Sequence, residues 1–392
     1  MPLRVTVNNY RCLSSADWTL NPGVSLLVGP NGSGKTTLLE VVSLLRDALE
    51  RGTRAAVDEH GGPGTIINLK ANSAEKADVG ALLDDCSWQI ELRPRGGEMT
   101  IAHRVLTGGK QIVEEEPPVR SLFGGNIYSV GPIIDYQPTT FASKPTFLLV
   151  EPGTSGSPEL KMIADQAPEA IRPLLNTIGG YFLHGGYFIR SLRVNGSRIS
   201  SDVRLDRDGT NAFSVLRNWR DARATRSRWD FVISGLKEAF PESFEEIEFE
   251  TAGQTVAGRV IAPGTEKSIG TYFAPDGLLT GLLHLTAVAS TPDGGALAID
   301  EFENSLHPYA ICALLDHVRS WSKSHGTSIT LATHSPVLID QFKDEPHRLL
   351  VMDPGAEVRP VPVSTMRDPE WLAHFSLGDL YARGEFGSQA RH

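Results

Sequence analysis

The sequence predicts an α/β fold in which buried parallel strands, each followed by a helix, build a mixed sheet flanked by helices. Three runs predict it. In the first, GPNGSGKTT, residues Gly29 to Thr36 fit the spacing G-x-x-x-x-G-K-[ST]; the apolar stretch Val24-Ser25-Leu26-Leu27-Val28 precedes them, and Leu38, Val42, Leu45 and Leu49 follow at helical spacing. In the second, Ala296-Leu297-Ala298-Ile299 reads as a buried strand that ends at Asp300 and Glu301. In the third, Ser328-Ile329-Thr330-Leu331-Ala332-Thr333 ends at His334, and Ser335 and Pro336 then open a helix as N-cap and first-turn proline.

Each run carries its own chemistry. Glycines 29, 32 and 34 let the backbone turn so that the N–H groups of Asn31, Gly32, Ser33, Gly34, Lys35, Thr36 and Thr37 form an anion nest at a helix N-terminus. Lys35 is placed to reach the β- and γ-phosphates of a nucleoside triphosphate, and Thr36 to hold Mg²⁺. Asp300 stands at the carboxyl end of its strand, where open α/β sheets place ligands, and is expected to orient the Mg²⁺ shell. Glu301, one residue on, is the candidate to take a proton from the attacking water. An acidic turn after a strand is ordinary by itself. His334 at the end of a second buried strand is what turns the pair into a site, as a candidate sensor of the γ-phosphate. These residues predict a nucleoside triphosphatase.

GPNGSGKTT, then IDEFENSLHP, then ATHSP resemble, in order and spacing, the ABC-type ATPase heads of the SMC, RecF and overcoming-lysogenization-defect group, in its AAA-family subset. The fold implied is a P-loop NTPase of ABC-ATPase type with an inserted helical and β lobe. The resemblance extends to the opening Arg4-Val5-Thr6-Val7-Asn8-Asn9-Tyr10-Arg11, with Arg11 similar to the family's nucleotide-site arginine. It includes the mid-chain Asp208-Gly209-Thr210-Asn211 and the tail Phe375-Ser376-Leu377-Gly378-Asp379-Leu380-Tyr381. It implies ATP as the nucleotide, and a homodimer or higher oligomer in which a signature segment of one subunit completes the site of the other. Here that segment reads Ala274-Pro275-Asp276-Gly277-Leu278, where relatives carry Ser-Asp-Gly or Ser-Gly-Gly. Pro275 supplies neither hydroxyl nor N–H, although its fixed φ suits the first turn of the helix marked by Leu278, Leu282, Leu285 and Val288. Asp276 and Gly277 are left as the nucleotide contacts, and hydrolysis is expected to be slow. The family's Gln-containing loop is not placed by the sequence: Gln111 and Gln137 are both candidates, and each reads first as an ordinary surface residue.

Composition bounds the reading. The 392 residues are 40% hydrophobic, and no run approaches the roughly twenty apolar residues of a membrane helix. No charged-then-apolar leader opens the chain, and the three cysteines, Cys12, Cys86 and Cys312, lack metal-like spacing. A cytoplasmic protein with no membrane partner is expected. The segments divide into 1–150, carrying the phosphate loop and antiparallel strands; 151–264, an inserted, mostly helical lobe; and 265–392, carrying the signature helix, acidic strand, histidine strand and tail. Alternation in Trp88 to Leu92 and in Met99 to Val105 marks the antiparallel strands. No sustained heptads predict a coiled-coil arm.

The inserted lobe is unusual in charge. Between Arg190 and Arg228 lie ten arginines and four aspartates, a net of +6 on a chain of −10. This face suits nucleic-acid phosphates or an acidic partner, or is a solvated surface paired with acids elsewhere. Two functions are compatible with these features. One is an ATPase whose closure is coupled to nucleic acid, in phage defence or DNA repair. The other is a nucleotide-gated scaffold that holds and releases a separate nuclease or toxin, with slow hydrolysis as a timer. The 58 residues after His334 are too few for a nuclease domain, so a nuclease is expected on another chain. A transporter subunit fits less well, given the altered signature and the long insertion.

Overall fold

A computed structural model describes residues 2–68, 76–95, 98–107, 110–116, 171–353 and 360–387. Gln137 and the Pro/Gly/Ser-rich loop at 151–158 lie outside the described residues. The chain forms two compact units: one takes its described residues from Met1–Asn21, Pro30–Tyr181 and Met352–Pro360, the other from Pro22–Gly29, Phe182–Val351 and Val361–His392.

The first unit is built on a six-stranded antiparallel sheet of order β2-β1-β4-β5-β6-β7. Its strands are β1 (Leu3–Tyr10), β2 (Leu13–Leu20), β4 (Ala77–Leu83), β5 (Cys86–Arg95), β6 (Glu98–Thr107) and β7 (Lys110–Glu116). Leu3, Val5 and Val7 alternate inward along β1, as the two-residue period of a half-buried strand requires. Asn9, at φ 52, breaks the alternation, and Tyr10 and its partner Leu13 both turn inward. The helix Lys35–Arg51 packs on β1, β2 and β4, burying Leu38, Leu39, Val42, Leu45 and Leu49. The spacing seen in the sequence is therefore its core face, each leucine contributing about 1.5–3 kcal/mol.

The second unit holds the other six-stranded sheet, of order β16-β15-β3-β14-β13-β8. These strands are β3 (Gly23–Val28), β8 (Tyr181–His184), β13 (Ala296–Ile299), β14 (Ser328–Ala332), β15 (Leu349–Val351) and β16 (Val361–Pro362). β15, β3, β14 and β13 run parallel, whereas β16 returns antiparallel. Every residue of β13 and β14 is buried, the near-continuous apolar reading of a sheet covered on both faces. Register pairs Leu27 with Ala332 and Leu331 with Ile299, so three carboxyl ends stand side by side. The Thr333 amide donates to the Leu27 carbonyl at 3.1 Å.

A smaller antiparallel sheet in the same unit joins β9 (Ser197–Arg198), β10 (Glu246–Ala252), β11 (Thr255–Ile261) and β12 (Ser268–Gly270). The helices Ala212–Asp221, Arg226–Ala239, Asp276–Ser290 and Pro308–His325 share one core with it. Asp276–Ser290 is buried from Leu278 through Ser290, so it is a central helix apolar all round. The stretch 182–264 thus carries strands as well as helices, and it packs with 265–351 in one compact unit. The strands were legible in the alternation of Ile247 and Phe249, and of Val256, Gly258 and Val260.

Candidate nucleotide site

The phosphate loop follows β3. Gly32 and Gly34 adopt φ +80 and +93, the left-handed region where glycine carries no Cβ penalty. A Cβ on Gly34 would stand 2.6 Å from the Leu13 side chain, so the loop closes against β2 only with glycine there. The Ser33 amide donates to the Pro30 carbonyl at 3.1 Å, and the buried Lys35 ammonium donates to the same carbonyl at 3.2 Å. Among the described residues no side chain caps the helix Lys35–Arg51, and no acid occupies its first turn, where the dipole is positive. Ser33 Oγ is buried and has no hydrogen-bond partner among the described residues. A donor buried without a partner inside an anion nest fits a phosphate oxygen. Asn31, Gly32 and Thr36 are exposed; Thr37 is half-buried, with its hydroxyl 3.4 Å from Cys12 Sγ.

The acidic turn follows β13. The Asp300 amide donates to the His184 carbonyl at 2.9 Å. Glu301 is exposed and held at φ 54, a left-handed conformation that costs a non-glycine residue of order 1 kcal/mol. Asn304 Nδ2 donates to Glu301 Oε2 at 2.5 Å, and the Asn304 amide to the Glu301 carbonyl at 3.0 Å. Below them Phe302 is fully buried and stacks on His284 at 4.7 Å, whose Nε2 lies 3.0 Å from the Phe302 carbonyl. Burial pushes the His284 imidazole down to about 4, against the opposing hydrogen bond from Phe302.

His334 follows β14 and is tied to the acidic turn by a residue the sequence did not mark. Glu303 accepts the His334 amide at 2.7 Å on one oxygen and the Thr333 hydroxyl at 2.8 Å on the other. His334 Nδ1 lies 3.0 Å from the Tyr381 hydroxyl, which donates to the Gly29 carbonyl at 3.3 Å. Ser335 caps the next helix by accepting the Leu338 amide, with Pro336 in its first turn. Gly29, Asp300, Glu301 and His334 thus share one end of the parallel sheet. Lys35 and Thr36 belong to the first unit, on the chain that continues from Gly29.

Other candidate residues are committed within the fold. The Arg11 guanidinium pairs with Glu40 and donates to the His60 carbonyl at 2.6 Å. Pro275 is the N-cap of the helix Asp276–Ser290, in an extended conformation, rather than its first helical residue. Asp276 pairs with Arg193 at 2.7 Å, and a Cβ on Gly277 would stand 2.6 Å from the Ser305 carbonyl oxygen. Asp208 to Asn211 form a turn: Asp208 accepts the Thr210 amide and hydroxyl, and Asn211 accepts the Asp206 amide. The arginine-rich stretch is partly consumed as well. Arg220 lies over the Phe249 ring, Arg226 donates to the Arg220 carbonyl, Arg228 donates to the Ala289 carbonyl, and Arg193 holds Asp276. Among the described residues no helix is long and apolar enough to cross a membrane.

Residues 205–340 match the family described as "AAA domain, putative AbiEii toxin, Type IV TA system", and residues 2–77 match "AAA ATPase domain". The DNA replication and repair protein RecF of Aliivibrio fischeri (strain MJ11) is 48% identical over 46 residues, 12% of this chain and 13% of that protein. RecF of Arthrobacter sp. (strain FB24) is 33% identical over 86 residues, 18% of this chain and 21% of that protein. The chain therefore aligns with only a minor part of the length of these relatives. An SMC head, crystallised with the C-winged helix domain of ScpA, shares the fold at TM-score 0.51 and 10% identity, over 86% of this chain and 90% of that one. The chain thus matches AAA-domain families over two of its segments, resembles RecF over a short stretch, and has the fold of an SMC head.

Proposed function

We propose that the chain binds ATP with Mg²⁺ and hydrolyses it slowly, and that two copies close on the nucleotides to signal to a separate effector. The observation that carries the reading is the nest from Gly32 to Lys35: left-handed glycines and, among the described residues, a buried Ser33 hydroxyl with no partner and a helix start with no side-chain cap. The bound nucleotide supplies the phosphoryl group, and Mg²⁺ neutralises its charge. Lys35 offers its ammonium to the β- and γ-phosphates, and the amides from Asn31 to Thr37 surround the oxygens. Thr36 and Asp300 hold the cation. Glu301 takes the proton from water, and Asn304 keeps its carboxylate in place. His334 faces the γ-phosphate as sensor, and Arg11 reaches the nucleotide only by exchanging Glu40 for it. Asp276 and Gly277 of the second copy complete each site.

The replacement of a signature serine by Pro275 and the Arg193–Asp276 pair favour slow turnover, which suits a timer that gates a nuclease or toxin. Coupling to nucleic acid through the remaining exposed arginines, including Arg190, Arg198 and Arg223, is the second reading. A cytoplasmic location accompanies both. The test of the chemistry is Glu301→Gln. It is expected to bind Mg-ATP as tightly as the wild type and to lose turnover by on the order of a hundredfold or more. Turnover at the wild-type rate would remove Glu301 from the role of base.

A further inference from the structure

The turn between β1 and β2 is bolted down beside the phosphate loop. Arg11 takes φ 50; its amide donates to the Ile66 carbonyl at 2.7 Å, and its guanidinium holds Glu40 and the His60 carbonyl. The next residue, Cys12, is thereby presented at the loop. Its thiol donates to the Thr37 hydroxyl at 3.4 Å, in the first turn of the helix Lys35–Arg51. The Cβ that Gly34 lacks would stand 2.6 Å from Leu13 Cδ2 and 3.2 Å from Cys12 Sγ, so the leucine methyl and the sulfur fill the space beside this left-handed glycine. Leu13 is fully buried, whereas Cys12 is exposed; of the other two cysteines, Cys86 is buried and Cys312 half-buried. A second observation identifies what the sulfur borders. Ser33, next to Gly34, is 3% exposed, and its Oγ has no hydrogen-bond partner among the described residues, which fits an anionic ligand received by this loop.

We propose that Cys12 is a modification site that closes the nest: its S-thiolation by a small anionic disulfide of the glutathione class and the binding of nucleotide exclude each other. Once deprotonated, the Cys12 sulfur attacks one sulfur of the disulfide. A bond forms between Cys12 and that sulfur, the original S–S bond breaks, and the departing thiolate takes up the proton that Cys12 released. Cys12 is thereby oxidised and the departing half reduced, so a free thiol reverses the step. The new bond places a second sulfur about 2 Å from Sγ, at the edge of the loop. The attached group carries carboxylates, and its tether holds them at the loop at an effective concentration on the order of millimolar. Because no acid of this helix occupies its first turn, those carboxylates meet the positive end of the dipole and compete with phosphate for it. The proposal rests on the nucleotide reading and adds the regulation of that site.

Glutathione disulfide is the probe, applied to the full chain and to Cys12→Ser, whose hydroxyl can still donate to Thr37. Peptide mass spectrometry maps the adduct, and calorimetric titration reads Mg-ATP binding. Protein thiolated at Cys12 is expected to bind Mg-ATP at least about tenfold more weakly than untreated protein, with affinity restored by dithiothreitol. Cys12→Ser is expected to bind within about twofold of the wild type and to keep that affinity after the same treatment. In the opposite direction, Mg-ATP at about a hundred times its Kd is expected to slow thiolation of wild-type Cys12 at least about tenfold, with no such protection in Lys35→Ala. Unchanged Mg-ATP affinity in protein thiolated at Cys12 overturns the proposal, as does an equal loss in treated Cys12→Ser or a Cys12 that never reacts. Absence of Mg-ATP binding in the untreated chain would refute the nucleotide reading and the proposal together, and the untreated titration alone reveals that case.

Discussion

Two helices of this chain begin beside glycines, and they are wired oppositely. The helix Lys35–Arg51 starts at left-handed Gly34 with no acid in its first turn and, among the described residues, with no capping side chain and no partner for the buried Ser33 hydroxyl beside it. The helix Asp276–Ser290 starts at Pro275 with Asp276 already in its first turn, that carboxylate paired with Arg193 and Gly277 pressed on the Ser305 carbonyl. The dipole is the same in both. The first start carries no acid of its own in its first turn, which suits an external anion. The second has met its potential with a carboxylate of its own chain and has spent its glycine on close packing. A helix N-terminus therefore becomes a phosphate site by what the neighbouring residues withhold, and the difference accounts for expecting nucleotide at one and modulation at the other.

The comparison can be broken at the second helix. His284 lies within it, buried against Phe302 beneath the acidic turn. Its folded value is depressed from 6.5 to about 4, so below pH 6.5 the unfolded chain takes the proton first and stability falls as pH drops from 6.5 towards 4. The loss amounts to about 3 kcal/mol over that range, and His284→Gln is expected to flatten this part of the pH–stability curve. An unaltered curve in the variant would mean that the helix is not pinned to the acidic turn through this ring. Next in size is Gly277→Ala, whose Cβ would meet the Ser305 carbonyl at 2.6 Å. It is expected to cost about 1–3 kcal/mol in denaturant unfolding. A neutral result would return Gly277 to a purely ligand-facing role. Smallest is Asp276→Asn: the pair with Arg193 is largely exposed on the acidic side, so the change in stability should stay below about 1 kcal/mol. A much larger loss would make the pair a structural element rather than a local compensation of the dipole.

What was legible in the sequence follows from the range of the interactions. Strand ends and the phosphate loop depend on local apolar runs and glycine positions, so β3, β13, β14 and the helix Lys35–Arg51 could be read from their residues. Glu303 could not, because its role is to join two strands through His334 and Thr333, 31 and 30 residues away in the chain. Tyr381 lies 352 residues from Gly29 and was visible only as part of a tail pattern; the glycine at 378 was the one local hint of a close approach. In the arginine-rich stretch the sequence left two readings open, a ligand face and a surface paired with acids elsewhere. Charge counting cannot divide them, because the partners of Arg193, Arg220, Arg226 and Arg228, which are carboxylates, carbonyls or rings within their own unit, are set by the fold.

If the nest around Ser33 and Lys35 is the nucleotide site, removing the Lys35 ammonium removes binding. Calorimetric titration of Mg-ATP into the wild-type chain and into Lys35→Ala tests it most directly. The wild type is expected to show saturable binding and the variant at least about a hundredfold weaker binding, as loss of a buried ammonium on phosphate implies. Binding of equal affinity in Lys35→Ala would contradict the assignment.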